Sequence, residues 1–282
     1  MATDNKIIII LVLYKQDLEE SKTYNSLKEN IHLLTHPYKV IIYNNSPEIN
    51  IKPDESLGFT VFNSTQNDKL AKAYNYALNI AKQEDYNWIL LLDQDSEPPK
   101  EYFTEMDKKI DLADSNTAAI VPHIISDNVH ISPSEYWNIG GPFWDIRDYT
   151  GELPKNRYLN AINSCSVIRT SSIEEIGGFT EQLPLDYLDC WYYYQFHKKG
   201  FSLETIDVSI NHHLSIFILQ RMGIDRYKDY MKSCAIFAQI TQPSFLFFFR
   251  LRTIIRSIKQ LFIPARWKYF TTTFRAAFYH EK

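Results

Sequence analysis

Two aspartates, Asp93 and Asp95, directly follow the apolar run of residues 88–92 and directly precede Ser96-Glu97-Pro98-Pro99. An apolar run bounded by turn formers reads as a buried strand. Its carboxylates then leave the C-terminal edge of a sheet, where open α/β folds hold their ligands. Residues two apart on an extended chain face the same side, so both acids could address one cation. A hard ion such as Mg²⁺ or Mn²⁺ is usually held by one or two carboxylates and a substrate diphosphate. A solvated acidic turn would look the same in isolation. A second acidic pair, Asp186 and Asp189, precedes the aromatic stretch 191–199. Either could take a proton, or serve only to stabilise a helix N-terminus. His212 closes the strand-like stretch 207–211 and could complete a metal shell or be a core-edge imidazole.

The elements that must position these groups alternate. Residues 6–14 and 38–43 read as buried strands and 58–62 as a short third one, with a polar, mostly helical stretch before residue 34. Lys69–Gln83 carries Leu70, Ala73, Tyr74, Ala77, Leu78 and Ala81, the spacing of one helix face. Strand–helix alternation over the first hundred residues predicts a nucleotide-binding α/β sheet. Farther on, residues 118–122 and 161–169 read as strands, and the Gly-, Pro- and Trp-containing segment 132–156 as a loop or lid. A helix beginning at Thr170 stops at Gly177-Gly178, and residues 191–199 form another that closes at Gly200.

With 45% hydrophobic and 23% charged residues, the 282-residue chain has ordinary globular composition. Its 19 Tyr and 17 Phe fit a ligand-lined cleft, an interfacial surface or an aromatic core. Cys165, Cys190 and Cys234 lack metal spacing, and their odd number argues against a disulfide framework. No secretory signal is recognisable, and no stretch reaches the ~18 apolar residues needed to span a bilayer. The expected location is cytoplasmic.

Charge is uneven. Residues 245–282 carry +7 and residues 1–244 carry −11, for a net −4. In this tail Phe247, Leu251, Ile254, Ile255, Ile258, Leu261 and Phe262 fall on one helical stripe flanked by Arg252, Arg256 and Lys259. That is the composition of a helix on an anionic membrane surface; a homodimer contact or packing on the body would use the same pattern. Nucleic acid is not an expected partner of so acidic a body.

Taken in order, six segments resemble family 2 inverting glycosyltransferases of the GT-A fold. They are a first strand ending at Tyr14, a second ending Tyr43-Asn44-Asn45-Ser46, Asn67-x3-Ala71-x-Ala73-Tyr74-Asn75, the DQDS of 93–96, Gly177-Gly178-Phe179, and Asp186-Tyr187-Leu188-Asp189. The resemblance spans roughly residues 6–235; LLDQDS (91–96) and LDYLD (185–189) are most similar to rhamnosyltransferases of bacterial surface polysaccharide (O antigen) assembly.

The resemblance implies a donor pocket of Tyr14, Asn44, Asn67, Asn75, Asp93 and Asp95. Asn44 stands where the family usually has an Asp that reads the pyrimidine, and Asp93 would lie on the ribose side. Asp95 would ligate Mg²⁺ or Mn²⁺ at the diphosphate, with His212 as a second ligand. Asp189 would be the catalytic base and Asp186 its alternative. The family often places a second acid and an Arg after the base, where Trp191 and Gln195 stand here. The expected donor is dTDP-rhamnose, with a UDP-hexose as alternative, and the acceptor a hydroxyl of a glycan or lipid-linked glycan. The expected architecture is an α/β GT-A unit over 1–240, with a nucleotide-sugar half at 1–115 and an acceptor half at 116–240, and an amphipathic helical region over 241–282. Arg226, Tyr227 and Lys232 are expected on a solvated helix face. Three rival readings exist; one, a nucleotidyltransferase, would share the sheet and metal acids but calls for a Gly-rich, basic phosphate loop near the N-terminus that the sequence does not show. A haloacid-dehalogenase-type phosphatase also uses a DxD after a strand, but carries it near the N-terminus; a non-catalytic nucleotide-sugar binder would not need Asp189.

Overall fold

The computed structural model describes residues 5–52, 57–212 and 222–280. Leu214 and Ser215, which with His212 form a His-x-Leu-Ser sequence similar to the family's His-x-Leu-Gly, lie outside the described residues.

Strand β1 (Ile7–Leu13) is apolar and buried at every position, and such a strand needs cover on both faces. It has that cover. Ile8, Ile10 and Val12 pack with Ala73, Tyr74 and Ala77 of α2 (Lys69–Gln83). Ile7, Ile9 and Leu11 pack with Tyr24 and Leu27 of α1 (Lys22–Asn30) and with Phe103 and Met106 of α3 (Lys100–Leu112). Each such side chain contributes about 1.5–3 kcal/mol on burial.

Strands β2 (Tyr38–Asn44), β3 (Thr60–Asn63) and β4 (Trp88–Asp93) extend β1 in parallel, in the order β4-β1-β2-β3. Beyond β4 the sheet continues through β10 (Ser166–Arg169), β5 (Thr117–Ser126) and β11 (Ser202–Asn211), with β6 (Val129–Ser132) beside β5. β10 runs antiparallel to β4 and β5, and β11 runs parallel to β5. The sheet is therefore mixed. The C-terminal ends of β1, β2, β4, β5 and β11 share one edge with the entry to β10.

The segment 132–156 is not a plain loop. It contains β7 (Ser134–Trp137) and β8 (Arg147–Asp148), which join β9 (Arg157–Asn160) in a small sheet of order β8-β7-β9. Strands of two to four residues are too short to show an alternation in sequence.

Helices α4 (Thr170–Glu175) and α5 (Leu188–Lys199) are followed by α6 (Ile224–Thr241), α7 (Pro243–Leu261) and α8 (Trp267–Ala276). Phe245, Phe249 and Tyr269 belong to the same apolar cluster as the buried residues of α2 and α5. Helix α7 buries Phe245, Phe249, Thr253, Ser257 and Gln260. The apolar stripe visible in the sequence points outward instead, with Phe247 62%, Ile258 50% and Phe262 80% exposed. No helix among the described residues is long and apolar enough to cross a membrane. The three cysteines are free and buried.

Candidate active site

Asp93 ends β4, and the chain then turns at Gln94-Asp95. The acids are thus united by a turn rather than by strand alternation. That turn is fixed from two sides. Gln94 Oε1 accepts from the Tyr14 N–H at 2.7 Å, and Ser21 Oγ donates to the Gln94 carbonyl at 2.9 Å. Thr23 Oγ1 donates to the Ser96 carbonyl at 2.8 Å and accepts from its N–H at 3.0 Å.

Hydroxyls then orient the carboxylate. Ser96 Oγ donates to Asp93 Oδ1 at 2.5 Å. Ser164, which precedes the antiparallel β10 and so emerges at the same sheet edge, donates to Asp93 Oδ2. His212 reaches this edge at the end of β11, where its N–H donates to the Ile125 carbonyl at 3.0 Å. Its Nδ1 lies 3.0 Å from Ser96 Oγ, 3.8 Å from Asp93 Oδ2 and 3.6 Å from Asp95 Oδ1. Ligand atoms of Asp93, Asp95 and His212 all fall within 4.8 Å of one another. Two carboxylates and one imidazole suit a divalent ion of the Mg²⁺ or Mn²⁺ type, so the residues present fit the cation expected here.

Asp189 occupies the first turn of α5. Tyr187, at φ 64°, reverses the chain into that helix. The segment before it is tied to α2: the Leu70 and Ala71 N–H groups donate to the Pro184 carbonyl at 2.9 and 3.1 Å. Asp189 Oδ1 accepts from the Cys190 N–H at 2.7 Å, which favours the charged form. Burial outweighs this and, with the charge of Asp186, pushes the carboxyl up to about 6. Asp186 is gripped by Arg226, whose two terminal nitrogens each donate at 2.5 Å. Arg226 is therefore no member of a solvated face. It lines the cleft.

These groups meet around one cleft of about 580 Å³. Asp93 and His212 line it together with Asp186, Asp189 and Arg226. Tyr74 lines it too; its ring is fully buried and its hydroxyl has no hydrogen-bond partner among the described residues. Two members of the metal-type triad, Asp93 and the buried His212, thus share one cavity with a separate carboxyl poised near neutrality, and Asp95 stands half-exposed beside them.

The sequence profile described as "Glycosyl transferase family 2" matches residues 9–177, more than half of the chain. The chain belongs to glycosyl transferase family 2.

Solved structures agree on the fold of this glycosyltransferase. A mannosyltransferase from Pyrobaculum calidifontis, in complex with GDP-Man and Mn²⁺, superposes with TM-score 0.50 at 16% identity, covering 96% of this chain and 73% of that one. TarS 1–349 of S. aureus gives TM-score 0.52 at 12% identity, with 96% and 90% covered. GalNAc-T7 with UDP, GalNAc and Mn²⁺ gives TM-score 0.54 at 12% identity; 84% of this chain matches half, 50%, of that protein. At such identities the likeness concerns the fold alone. A comparison with curated proteins finds no significant match.

The remaining residues named from the sequence are spread unequally over this family 2 glycosyltransferase. Tyr14 is 41% exposed at the end of β1, beside the DQDS turn. Asn44 is wholly buried; its Nδ2 donates to Ile49 O at 2.6 Å and Asn63 Oδ1 at 2.9 Å, and its Oδ1 accepts from Ser46 N at 2.9 Å. Asn67 Oδ1 accepts from Lys69 N at 3.1 Å, at the start of α2. Asn75 Nδ2 donates to Phe179 O at 2.7 Å, and its Oδ1 accepts from Phe179 N at 2.9 Å. Gly178 allows that approach, since a Cβ there would meet Asn75 Oδ1 at 3.1 Å. Asn44 and Asn75 are thus engaged with the scaffold, and neither lines the cleft. Ser96, Ser164 and Tyr74 were not read from the sequence as site residues. For Ser96 the signal was its place in the DQDS turn; for Ser164, joined to Asp93 only by the fold, there was none.

Proposed function

We propose that this glycosyltransferase is an inverting, metal-dependent enzyme that moves a sugar from a nucleoside-diphosphate donor to a hydroxyl of a glycan or lipid-linked glycan. The observation that carries the reading is the cleft that Asp93, His212 and the Asp189 carboxyl line together, with Asp95 offering a ligand atom within 4.8 Å of those of Asp93 and His212. Asp186 is neutralised by Arg226, which leaves Asp189 as the acid of that segment free to act as base. Mg²⁺ or Mn²⁺ on Asp95, with Asp93 and His212, would supply positive charge to the departing diphosphate.

Asp189 takes the proton of the acceptor hydroxyl as that oxygen bonds to the anomeric carbon. The bond from that carbon to the diphosphate oxygen breaks on the opposite face, so the configuration inverts. The Ser96 and Ser164 hydroxyls hold Asp93 in one orientation, and the α2 contact at Pro184 holds the segment that carries Asp189. The first candidate for the donor is dTDP-rhamnose, on the likeness of 91–96 and 185–189 to rhamnosyltransferases; a UDP-hexose is the next. The outward stripe Phe247, Leu251, Ile255, Ile258 and Phe262, beside Arg250, Lys259 and Lys268, supports residence on an anionic membrane surface.

The test is calorimetric binding of a nucleotide-sugar panel with and without Mn²⁺. Mn²⁺-dependent binding of one donor, lost in Asp95→Ala, supports the reading and names the sugar. Binding of no donor by folded protein sinks it.

A further inference from the structure

Beside the cleft lies a second hollow of about 260 Å³, lined by Arg252, Ile255, Arg256, Lys259, Gln260 and Arg266. Arg252 and Arg256 also line the main cleft, so the two spaces share a wall. Four of the six residues are cations and none is an acid. Arg252, Arg256 and Lys259 recur at i, i+4 and i+7, which sets like charges on one face of α7, an arrangement that costs stability by itself. No Asp or Glu occurs in α7 or α8 to relieve it, and none of the four cations pairs with a carboxylate among the described residues. Arg252 donates to the Pro142 carbonyl at 2.8 Å.

Two buried polar atoms at the hollow are also unanswered. Gln260 is 2% exposed, and its Oε1 has no partner. Its Nε2 donates to the Tyr227 hydroxyl at 3.4 Å, so the unanswered atom is an acceptor. Arg266 Nε is buried without an acceptor. An unfilled buried donor is costly, and Arg266 Nε among cations without a carboxylate partner calls for an oxyanion. Guanidinium groups suit phosphate in particular, because their forked donors match its oxygens.

We propose that this hollow is an acceptor subsite that binds a phosphate or diphosphate group. The inference rests on the glycosyltransferase reading, because a phosphate seated against Arg252 and Arg256 puts the rest of the acceptor in the cleft that Asp189 lines. The group can come from two sources: a phosphate carried by the acceptor itself, or the headgroup of a phospholipid at the outward face of α7. The acidic remainder of the chain would repel either one, so the hollow is where such a ligand can approach.

The probe is inorganic pyrophosphate, titrated calorimetrically into the whole protein in the presence of a chelator, so that the carboxylate–histidine cluster cannot bind it through a metal. Saturable binding is expected, weakened at least tenfold in Lys259→Gln/Arg266→Gln and unchanged in Asp95→Ala; one or two lost charge-assisted contacts account for roughly that factor. Lys259→Arg should retain it, which separates lost charge from lost fold. No binding, or binding indifferent to the double substitution, overturns the proposal. A second arm uses phosphatidylglycerol vesicles. Sedimentation with them that pyrophosphate competes away assigns the phosphate to a lipid headgroup, and sedimentation indifferent to pyrophosphate assigns it to the acceptor. Donor binding with Mn²⁺ on the same samples keeps the two readings apart: its failure would remove the transferase reading and leave the anion result standing.

Discussion

Arg226 holds Asp186 with two nitrogens at 2.5 Å, three residues before Asp189, whose carboxyl is pushed up to about 6. Burial is the main cause and the charge of Asp186 adds to it. Arg226 therefore moderates Asp189 through a neighbour it neutralises. A base must be ionised to act, so kcat/KM should rise with pH through about 6 in the wild type. In Arg226→Gln the Asp186 charge is uncovered, and this limb should move to higher pH by about one unit. Arg226→Lys should move it less. A lower rate with an unmoved limb would mean that Arg226 only shapes the segment.

Asp189 should also trade stability for chemistry. Its folded pKa, about 6, lies above the ~3.9 of a free carboxyl, so the folded state holds the proton more tightly than the unfolded chain. Its stabilising contribution is full below about pH 4 and is lost as pH rises through 6. Asp189→Asn removes the cost of the buried charge. Thermal unfolding should show the variant level with wild type at pH 4 and more stable at pH 7, by on the order of 2 kcal/mol, while transfer falls by about 10²–10⁴. Equal stability at both pH values would contradict the burial of the carboxylate.

Ser96 ties the cation cluster together, bonding Asp93 Oδ1 at 2.5 Å and standing 3.0 Å from His212 Nδ1. Removing such an orienting group typically costs 10–100-fold in metal affinity. Ser96→Ala should weaken Mn²⁺ binding, followed by calorimetry, by roughly that factor, and Asp95→Ala should abolish it. Unaltered affinity in both would show that the cluster does not hold the metal.

The positions that declared themselves in sequence are those whose signal is local. The DQDS turn follows an uninterrupted apolar strand, and the apolar period of Lys69–Gln83 matches α2 at both ends. The C-terminal stripe was equally legible, but its direction was not. The face that α7 buries includes Thr253, Ser257 and Gln260; its Phe245 meets Tyr194 of α5 and Phe237 of α6, and its Phe249 meets Phe143, all outside α7 itself. Arg226 looked solvated because its partner lies 40 positions away, and Ser164 is 71 positions from Asp93. The Ser164 pairing is made by the sheet order, with β10 slotted antiparallel beside β4, and the Arg226 pairing by α6 meeting the segment before α5; no local pattern encodes either.

Asn75 is a case in which a family-like residue has a structural duty. Its amide closes two hydrogen bonds on Phe179, across a Gly178 that sits at φ +87°. Asn75→Ala should destabilise the protein by about 1–3 kcal/mol, through the unpaired backbone groups of Phe179, and leave donor affinity of the folded protein unchanged. Gly178→Ala should do the same, because the new Cβ is strained by the backbone and crowds Asn75. A selective loss of donor binding in a fully stable Asn75→Ala would instead return the residue to the nucleotide.

Tyr74 poses the converse problem, a buried hydroxyl without a partner on a ring that lines the cleft. The charges of Asp93 and Asp189 both bear on it. An unpaired buried hydroxyl costs about 1–3 kcal/mol, and the free protein would be as stable or more so without it. Tyr74→Phe is therefore expected to melt no earlier than wild type. If the hydroxyl is kept for a bound substrate, the same change should lower kcat/KM at least tenfold, since a site left without its intended donor loses roughly one charged or neutral hydrogen bond. The two measurements separate the roles: lower stability with full activity would make Tyr74 a core residue, and higher stability with lost activity would place its hydroxyl against the substrate.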